Sequence, residues 1–598
     1  MAAVGAATWA LAGTGRGIGA ERWGIILIAA AIGLLPPVRR AVAAVHQATG
    51  KPSPATRYVL AVCIAVAAAG YFIGTAANQN RDLFAKTNDD CSYLIGMQML
   101  AHGRLWMPAL PTPDFYDSFY ILVKPVYCSI YFPGTALLYV PTIWLHLPTW
   151  VMPVLAAGAA VGLVYAIVAE MLDGFYALLA ALMIVSLSWF RVYSILLTSH
   201  VPALLMGMAM VWCWLHWREK SAIGWAIAIG AVAGWAAITR PVDALVYALP
   251  VGAAMLPRLW KMPRRRAIGT VAAIIASAMP FLVVQGVFDL GVTGHLFRTP
   301  YSAYLAQDQP GSEFGFHRID ASARPVSPLI EKQEFFQWAK TYIAAHQPGN
   351  FLGTWIRKYL PLMIDTVMPS RLFLLLLPIG LLGFVDPPYS RVRVLLATLP
   401  LFVILYMLNP FFLEHYALLI IPATTAAILL GGKYLGEIWP PLSSAFALAI
   451  VAASLTGLWE INRYVAGPAT HVSDETFTSP MLQFAQQWPQ MQQIHKPAVV
   501  LFAYHPGGNF LIEPVYNTST AWPLDAPVIR AHDLGRRNIE IFRYFAEHQP
   551  DRMFYEFDPT TGVLMPLGHA STLFLTAEET EEHGGNTLLP QMKGEGQR

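Results

Sequence analysis

The chain has 598 residues, of which 56% are hydrophobic and only 13% charged. A soluble globular protein carries about 25% charge, so half that value points to a bilayer as the solvent. The net charge of +3 is too small to mark a nucleic-acid binder, and the sequence shows no RNA- or DNA-binding pattern, internal repeat or long low-complexity stretch.

A helix needs about 20 apolar residues to cross a bilayer. Trp23–Leu35 is a short candidate, and clearer runs follow at Tyr58–Ala77, Thr149–Ala169, Gly174–Phe190, Val201–Trp217, Ser221–Thr239, Ala244–Pro257 and Ala267–Phe288. The series resumes at Leu372–Val385, Val394–Leu408, Tyr416–Gly432 and Pro441–Leu458. Roughly eleven or twelve spans are expected. Phe132–Leu147 is apolar but short and broken by Pro133, Pro141 and His146, which predicts a re-entrant or interfacial helix. The N-terminus lacks the basic region of a signal peptide, so cleavage is not expected.

Lysine and arginine in short loops set the orientation. Five connections are basic: Arg39, Arg40, Lys51 and Arg57; Arg218 and Lys220; Arg258, Lys261, Arg264, Arg265 and Arg266; Arg391 and Arg393; and Lys433. Placing all five in the cytoplasm gives one alternating topology. The opposite face then receives three large hydrophilic segments, 78–131, 291–370 and 460–598. The expected architecture is an α-helical polytopic membrane protein with a small C-terminal extracytoplasmic α/β domain. Its parts are an N-terminal segment (1–56), a transmembrane domain (57–459) and the tail (460–598). In the tail, Ala498–Tyr504 and Met553–Phe557 read as strands and Arg537–His548 as a helix. Gly291–Ser370 is expected to cover the outer cavity, because long structured loops over a site act as lids.

Asp89 and Asp90 open the first outer loop just before the apolar run Leu94–Leu100. Two readings are open: catalytic carboxylates, or a helix cap made by Asn88 or Asp89. Arg104, Asp114, Asp117 and Lys124 continue the loop and read singly as solvated charges. Cys91 and Cys128 share it, as a disulfide or as two free thiols. His200 lies at an outer mouth, where a histidine either packs or functions. Arg240, in Thr239-Arg240-Pro241, needs an anion if buried, which a lipid phosphate or Asp243 would supply. Glu414-His415-Tyr416 marks another mouth. The tail's His505, His532 and Asp533 show no spacing specific to a metal.

The order of these pieces resembles the GT-C superfamily of polyprenyl-phosphate-sugar-dependent glycosyltransferases, which includes protein O-mannosyltransferases and the lipid A aminoarabinose transferase. The matching pieces are Asp89-Asp90, Tyr131-Phe132-Pro133-Gly134, Ser199-His200, Thr239-Arg240-Pro241 and His415-Tyr416. The match is nearest to a bacterial branch with a soluble tail, here carrying Val515-Tyr516-Asn517, Ala531-His532-Asp533-Leu534-Gly535, Asn538 and Asp551-Arg552.

The resemblance implies transfer of a sugar from a polyprenyl-phosphate-linked donor to a glycan, lipid or protein acceptor, on the outer face of a bacterial inner membrane. The first-loop acid would be the general base, with Asp89 favoured over Asp90. Arg104, Tyr131, His200, Arg240, Arg298, Tyr301, His415 and Tyr416 are the candidate substrate-binding residues, and Arg240 is the first candidate for the leaving phosphate. Several relatives place an aspartate where this chain has His200, which weakens a metal site built on two acidic loops and leaves a divalent metal open. The rival reading is a transporter or flippase of lipid-linked sugars. Transporters put ionisable groups near the midplane and show duplicated halves, whereas the charges here gather at one face.

Overall fold

A computed structural model describes residues 18–78, 83–85, 87–318, 320, 322–463, 489–508, 510 and 513–575. The expectation of an uncleaved N-terminus concerns residues 1–17 and lies outside the described residues, as does most of the join between membrane domain and tail.

The protein is mostly helical, with a small mixed sheet at its C-terminal end. Several apolar runs form helices close to their predicted bounds: Pro54–Asn78, Val151–Met171, His200–Lys220, Ile223–Ala237, Pro241–Lys261, Arg264–Thr293 and Pro441–Arg463. Six helices among the described residues are long and apolar enough to cross a membrane, or seven if one bent pair counts as a single span. Three shorter apolar helices accompany them, Gly174–Ser186, Ile223–Ala237 and Arg393–Tyr406.

By this measure fewer full-length helices form than the eleven or twelve spans expected, and the sequence explains where. Ile18–Gly33 turns by 87° into Pro36–Thr49 at a pair of prolines. Leu372–Val385 folds as short turns, Arg371–Leu375, Leu377–Gly380 and Leu381–Phe384. Pro378 removes an amide donor there, and Gly380 lies so close to Ala427 that a Cβ would sit 1.8 Å from its carbonyl oxygen. Phe132–Leu147 forms two short helices, Pro133–Tyr139 and Pro141–Trp144, too short to span.

Small residues let the long helices approach closely, as they do where lipid supplies no hydrophobic drive. Gly158 and Gly162 on Val151–Met171 lie against the backbone of Ala65 and Ala61, where a Cβ would meet carbonyl oxygens at 2.5 and 2.6 Å. Outward faces stay apolar: Val62, Val66, Ile275 and Val283 are exposed, as lipid-facing residues are.

The basic loops converge on one end. Arg57 pairs with Glu170 at 3.3 Å, Arg391 with Glu170 at 3.9 Å, and Lys433 with Asp173 at 3.6 Å. Arg258 and Arg266 both bond Ser221 on the Arg218–Lys220 connection. The chain is therefore a multi-pass membrane protein with one basic end.

At the other end the first outer loop folds into the helix Asn88–Ala101 and a three-stranded sheet, with Val126–Ser129 between Met107–Pro108 and Ile121–Leu122. The 291–370 segment supplies the helices Pro300–Asp308 and Ile330–Ala345. The tail sheet orders its strands as Val528–His532, Ala498–Phe502, Met553–Asp558 and Val563–His569, with parallel, parallel and antiparallel pairings. The helix Asn538–His548 connects its two flanking parallel strands. Two of these strands, Val528–His532 and Val563–His569, were absent from the sequence expectation.

Candidate functional site

The helix Asn88–Ala101 begins with a complete capping box. The N-cap is Thr87, not Asn88 or Asp89: its hydroxyl accepts from the Asp90 amide at 3.1 Å, and Asp90 Oδ2 accepts from the Thr87 amide at 3.4 Å. Asp90 is fully buried in this role. A box of this kind satisfies two backbone donors reciprocally, and it fixes the neighbouring Asp89, which takes no part in it.

Asp89 is half-buried and accepts a hydrogen bond from the Tyr131 hydroxyl. Burial raises the Asp89 pKa, and it stays raised although Tyr131 and the Arg240 charge both act to lower it. Burial and the Asp89 charge hold the Tyr131 pKa well above its usual value, so the phenol remains a donor. An aromatic wall surrounds the pair. Tyr93 stacks on Tyr131 at 4.4 Å, and Tyr120 and Tyr301 follow at 5.7 and 6.3 Å. A small cleft opens beside Tyr131, and its walls include Leu100, Leu105, Phe132, Pro133, Ala136 and Phe288.

Arg240 sits in the turn before Pro241–Lys261, and its anion is Asp243, at 2.6 Å from Nε. Its Nη1 donates to Ser199 Oγ at 3.1 Å and its Nη2 to Tyr406 Oη at 2.9 Å, while Tyr406 donates onward to Asp243 at 2.5 Å. The guanidinium lies 5.1 Å from the Tyr416 ring centre. A fifth of the side chain stays exposed.

His200 packs against His415 at 4.4 Å and Tyr416 at 5.4 Å, and neither of its ring nitrogens has a hydrogen-bond partner among the described residues. His415 Nδ1 lies 2.7 Å from the Tyr193 hydroxyl.

The Tyr131-Phe132-Pro133-Gly134 turn joins these halves. The Gly134 amide donates to Ile238 O at 2.7 Å, and Trp235 Nε1 donates to Gly134 O at 2.8 Å. A Cβ on Gly134 would fall 2.3 Å from Thr239 Oγ1, so glycine is required by close approach. Asp89, Tyr131, Tyr301, His200, Arg240, His415 and Tyr416 thus form one connected neighbourhood. Arg104 and Arg298 do not join it: both are exposed, and no described side-chain contact ties either to Asp89. Tyr93, Tyr120, Tyr193 and Tyr406 belong to it and escaped the sequence reading, since isolated tyrosines in apolar runs carry no signal of convergence.

Asp117, read from sequence as a solvated loop charge, is buried. It pairs with Lys332 at 2.8 Å and accepts from Ser327 at 2.5 Å, while Lys332 also reaches Asp308 at 2.7 Å. Burial opposes the Lys332 charge, but the two aspartates outweigh it and hold its pKa well above the usual value. Cys91 and Cys128 are both buried free thiols. Asp89, Asp90 and His200 do not form a metal-ligand group. Among the described residues, Glu331, Glu513 and His532 do, with ligand atoms within 4.8 Å of one another.

No protein-family model matches the sequence, and no curated relative is found. Solved structures do match. ArnT from Cupriavidus metallidurans bound to undecaprenyl phosphate superposes with a TM-score of 0.51 at 12% identity, over 84% of this chain and 93% of that one. The apo state of the same protein gives 0.47 at 14% identity, over the same shares. The Archaeoglobus fulgidus oligosaccharyltransferase complex with Zn and sulfate gives 0.44 at 12%, over 76% of this chain and 62% of that one. The chain therefore has the fold of the GT-C membrane glycosyltransferases.

Proposed function

We propose that this protein is a glycosyltransferase of the bacterial inner membrane. It moves a sugar from a polyprenyl-phosphate-linked donor to an acceptor hydroxyl on the extracytoplasmic face. The carrying observation is that Asp89 is left out of the helix cap, bonded to Tyr131, and held within range of the Arg240 charge.

In this reading Asp89 takes the proton of the acceptor hydroxyl as its oxygen attacks the anomeric carbon. The bond to phosphate breaks with its electron pair, and the polyprenyl phosphate departs. A partly desolvated carboxylate with a raised pKa suits a base. Arg240 supplies the positive charge that stabilises the leaving phosphate. The fold match to a protein bound to undecaprenyl phosphate supports the donor class. Tyr301 and Tyr304 bring the 291–370 segment against Tyr131 and Tyr120 at the edge of this cluster.

The test is donor turnover by purified Asp89→Asn protein matched to the parent for expression and melting. Loss of the base lowers turnover by about a hundred- to ten-thousand-fold. Turnover near the parental rate places the base elsewhere.

A further inference from the structure

The tail meets the outer segment through a buried group that the transfer reaction does not use. His532 ends the edge strand Val528–His532, Glu513 lies in the connection leaving Ala498–Phe502, and Glu331 opens the helix Ile330–Ala345. All three are at least nine-tenths buried. The two tail residues lie on the carboxyl side of their neighbouring parallel strands, where open α/β sheets hold ligands.

Hydrogen bonding orients the imidazole. Nε2 faces the Asp117 carbonyl oxygen at 2.6 Å, an acceptor only, so Nε2 carries its proton. Nδ1 then faces Glu331 Oε1 at 3.2 Å. A neutral ring would set a nitrogen lone pair against a carboxylate oxygen there, which is repulsive, so a proton or a metal ion must lie between them. Glu513 Oε1 lies 3.9 Å from Nε2 and accepts the Val515 amide at 2.7 Å, which fixes it in place, and one ligand atom from each of the three residues lies within 4.8 Å of the others.

Charge separates the two occupants. The buried carboxylates here are Glu331, Glu513, Asp117 and Asp308, and the cations in their described ion pairs are Lys332 and His532. A proton on His532 leaves that group with more carboxylates than cations, and a divalent ion in its place lowers the excess negative charge by one without removing it. Two carboxylates and one imidazole match the donor set of a zinc-type ion, and an imidazole that donates its other N–H to a backbone carbonyl has the second-sphere arrangement usual for a metal ligand.

We propose that Glu331, Glu513 and His532 Nδ1 bind a divalent transition ion of zinc type that pins the tail to the outer segment. The ion replaces the proton between Nδ1 and Glu331, and that proton leaves to solvent. The site does not rest on the transferase reading.

The test uses the full chain in detergent, stripped with a chelator and titrated with Zn²⁺ by calorimetry and thermal melting. The parent is expected to take up about one equivalent and to melt higher when loaded. Glu513→Gln and His532→Gln should each weaken uptake by at least about tenfold, and Asp89→Asn should bind as the parent does. No saturable uptake by the parent, or unchanged uptake in both ligand variants, overturns the site. Should the variants fail to fold, X-ray absorption of the loaded parent decides. Imidazole and carboxylate ligands at about 2.0–2.2 Å support it, and a shell of water alone overturns it.

Discussion

Two regions at the outer end bury carboxylates, and they treat them in opposite ways. At the junction of the first loop with the 291–370 segment, Asp117 and Asp308 share Lys332, whose side chain is 1% exposed. Around Asp89 the arrangement stays open. The direct bond comes from a phenol, the nearby guanidinium already belongs to Asp243, and a cleft runs alongside. A carboxylate with its own lysine is structural cement. One held by a neutral donor, with a cation nearby committed elsewhere, is the one the proposed reaction uses as its base.

This contrast can be broken most directly by comparing Asp89→Asn with Asp90→Asn. The first should lose about a hundred- to ten-thousand-fold in donor turnover. The second keeps an oxygen that accepts the Thr87 amide, so it should lose less than about tenfold, with any cost appearing in melting. Equal losses would end the division of labour between the adjacent acids.

On the structural side, Lys332→Met strands two buried aspartates and should destabilise the outer assembly by about 3–5 kcal/mol. Limited proteolysis and melting of the purified protein would read this, and a variant as stable as the parent would show the lysine to be dispensable. Gly134→Ala forces a methyl against Thr239 and the Ile238 carbonyl, and should cost about 1–3 kcal/mol. A neutral result in melting would mean that the turn can slide.

The smallest effect is a titration. A general base works deprotonated, so turnover falls as pH drops through its pKa. Because burial raises the Asp89 pKa, the acid limb should lie above the range of a free aspartate. Tyr131→Phe deletes a bond that lowers this pKa and should move the limb to higher pH by less than about one unit. A limb that stays put, or moves down, would remove Tyr131 from the control of Asp89.

Much of the membrane body was legible because lipid imposes a length and a composition on each span, and basic loops mark one side. The run at 372–385 folds as three short helical pieces in place of one regular helix, because hydropathy counts Pro378, Gly380 and Gly383 as members of an apolar stretch while the backbone treats them as interruptions. Val528–His532 was overlooked because Arg530 and His532 dilute its apolar pattern, although its backbone pairs along a buried neighbour. The acidic pair was visible as a pair, but the sequence could not assign its two roles, since the cap depends on where the helix begins. Asp117 was misjudged for a different reason. Its partner Lys332 lies in another outer segment, and no local pattern announces a bond that only tertiary folding makes.

The Gly134 turn has a consequence for how the outer face can change. Two backbone-anchored bonds tie the return of the first loop to the turn that carries Arg240, and Tyr131 in that same return holds Asp89. The acid and the guanidinium are therefore mounted on one rigid bracket, while the 291–370 segment and the tail attach to it as separate fittings. Insertions or exchanges in those fittings can reshape what approaches the bracket without altering the spacing between its two charges.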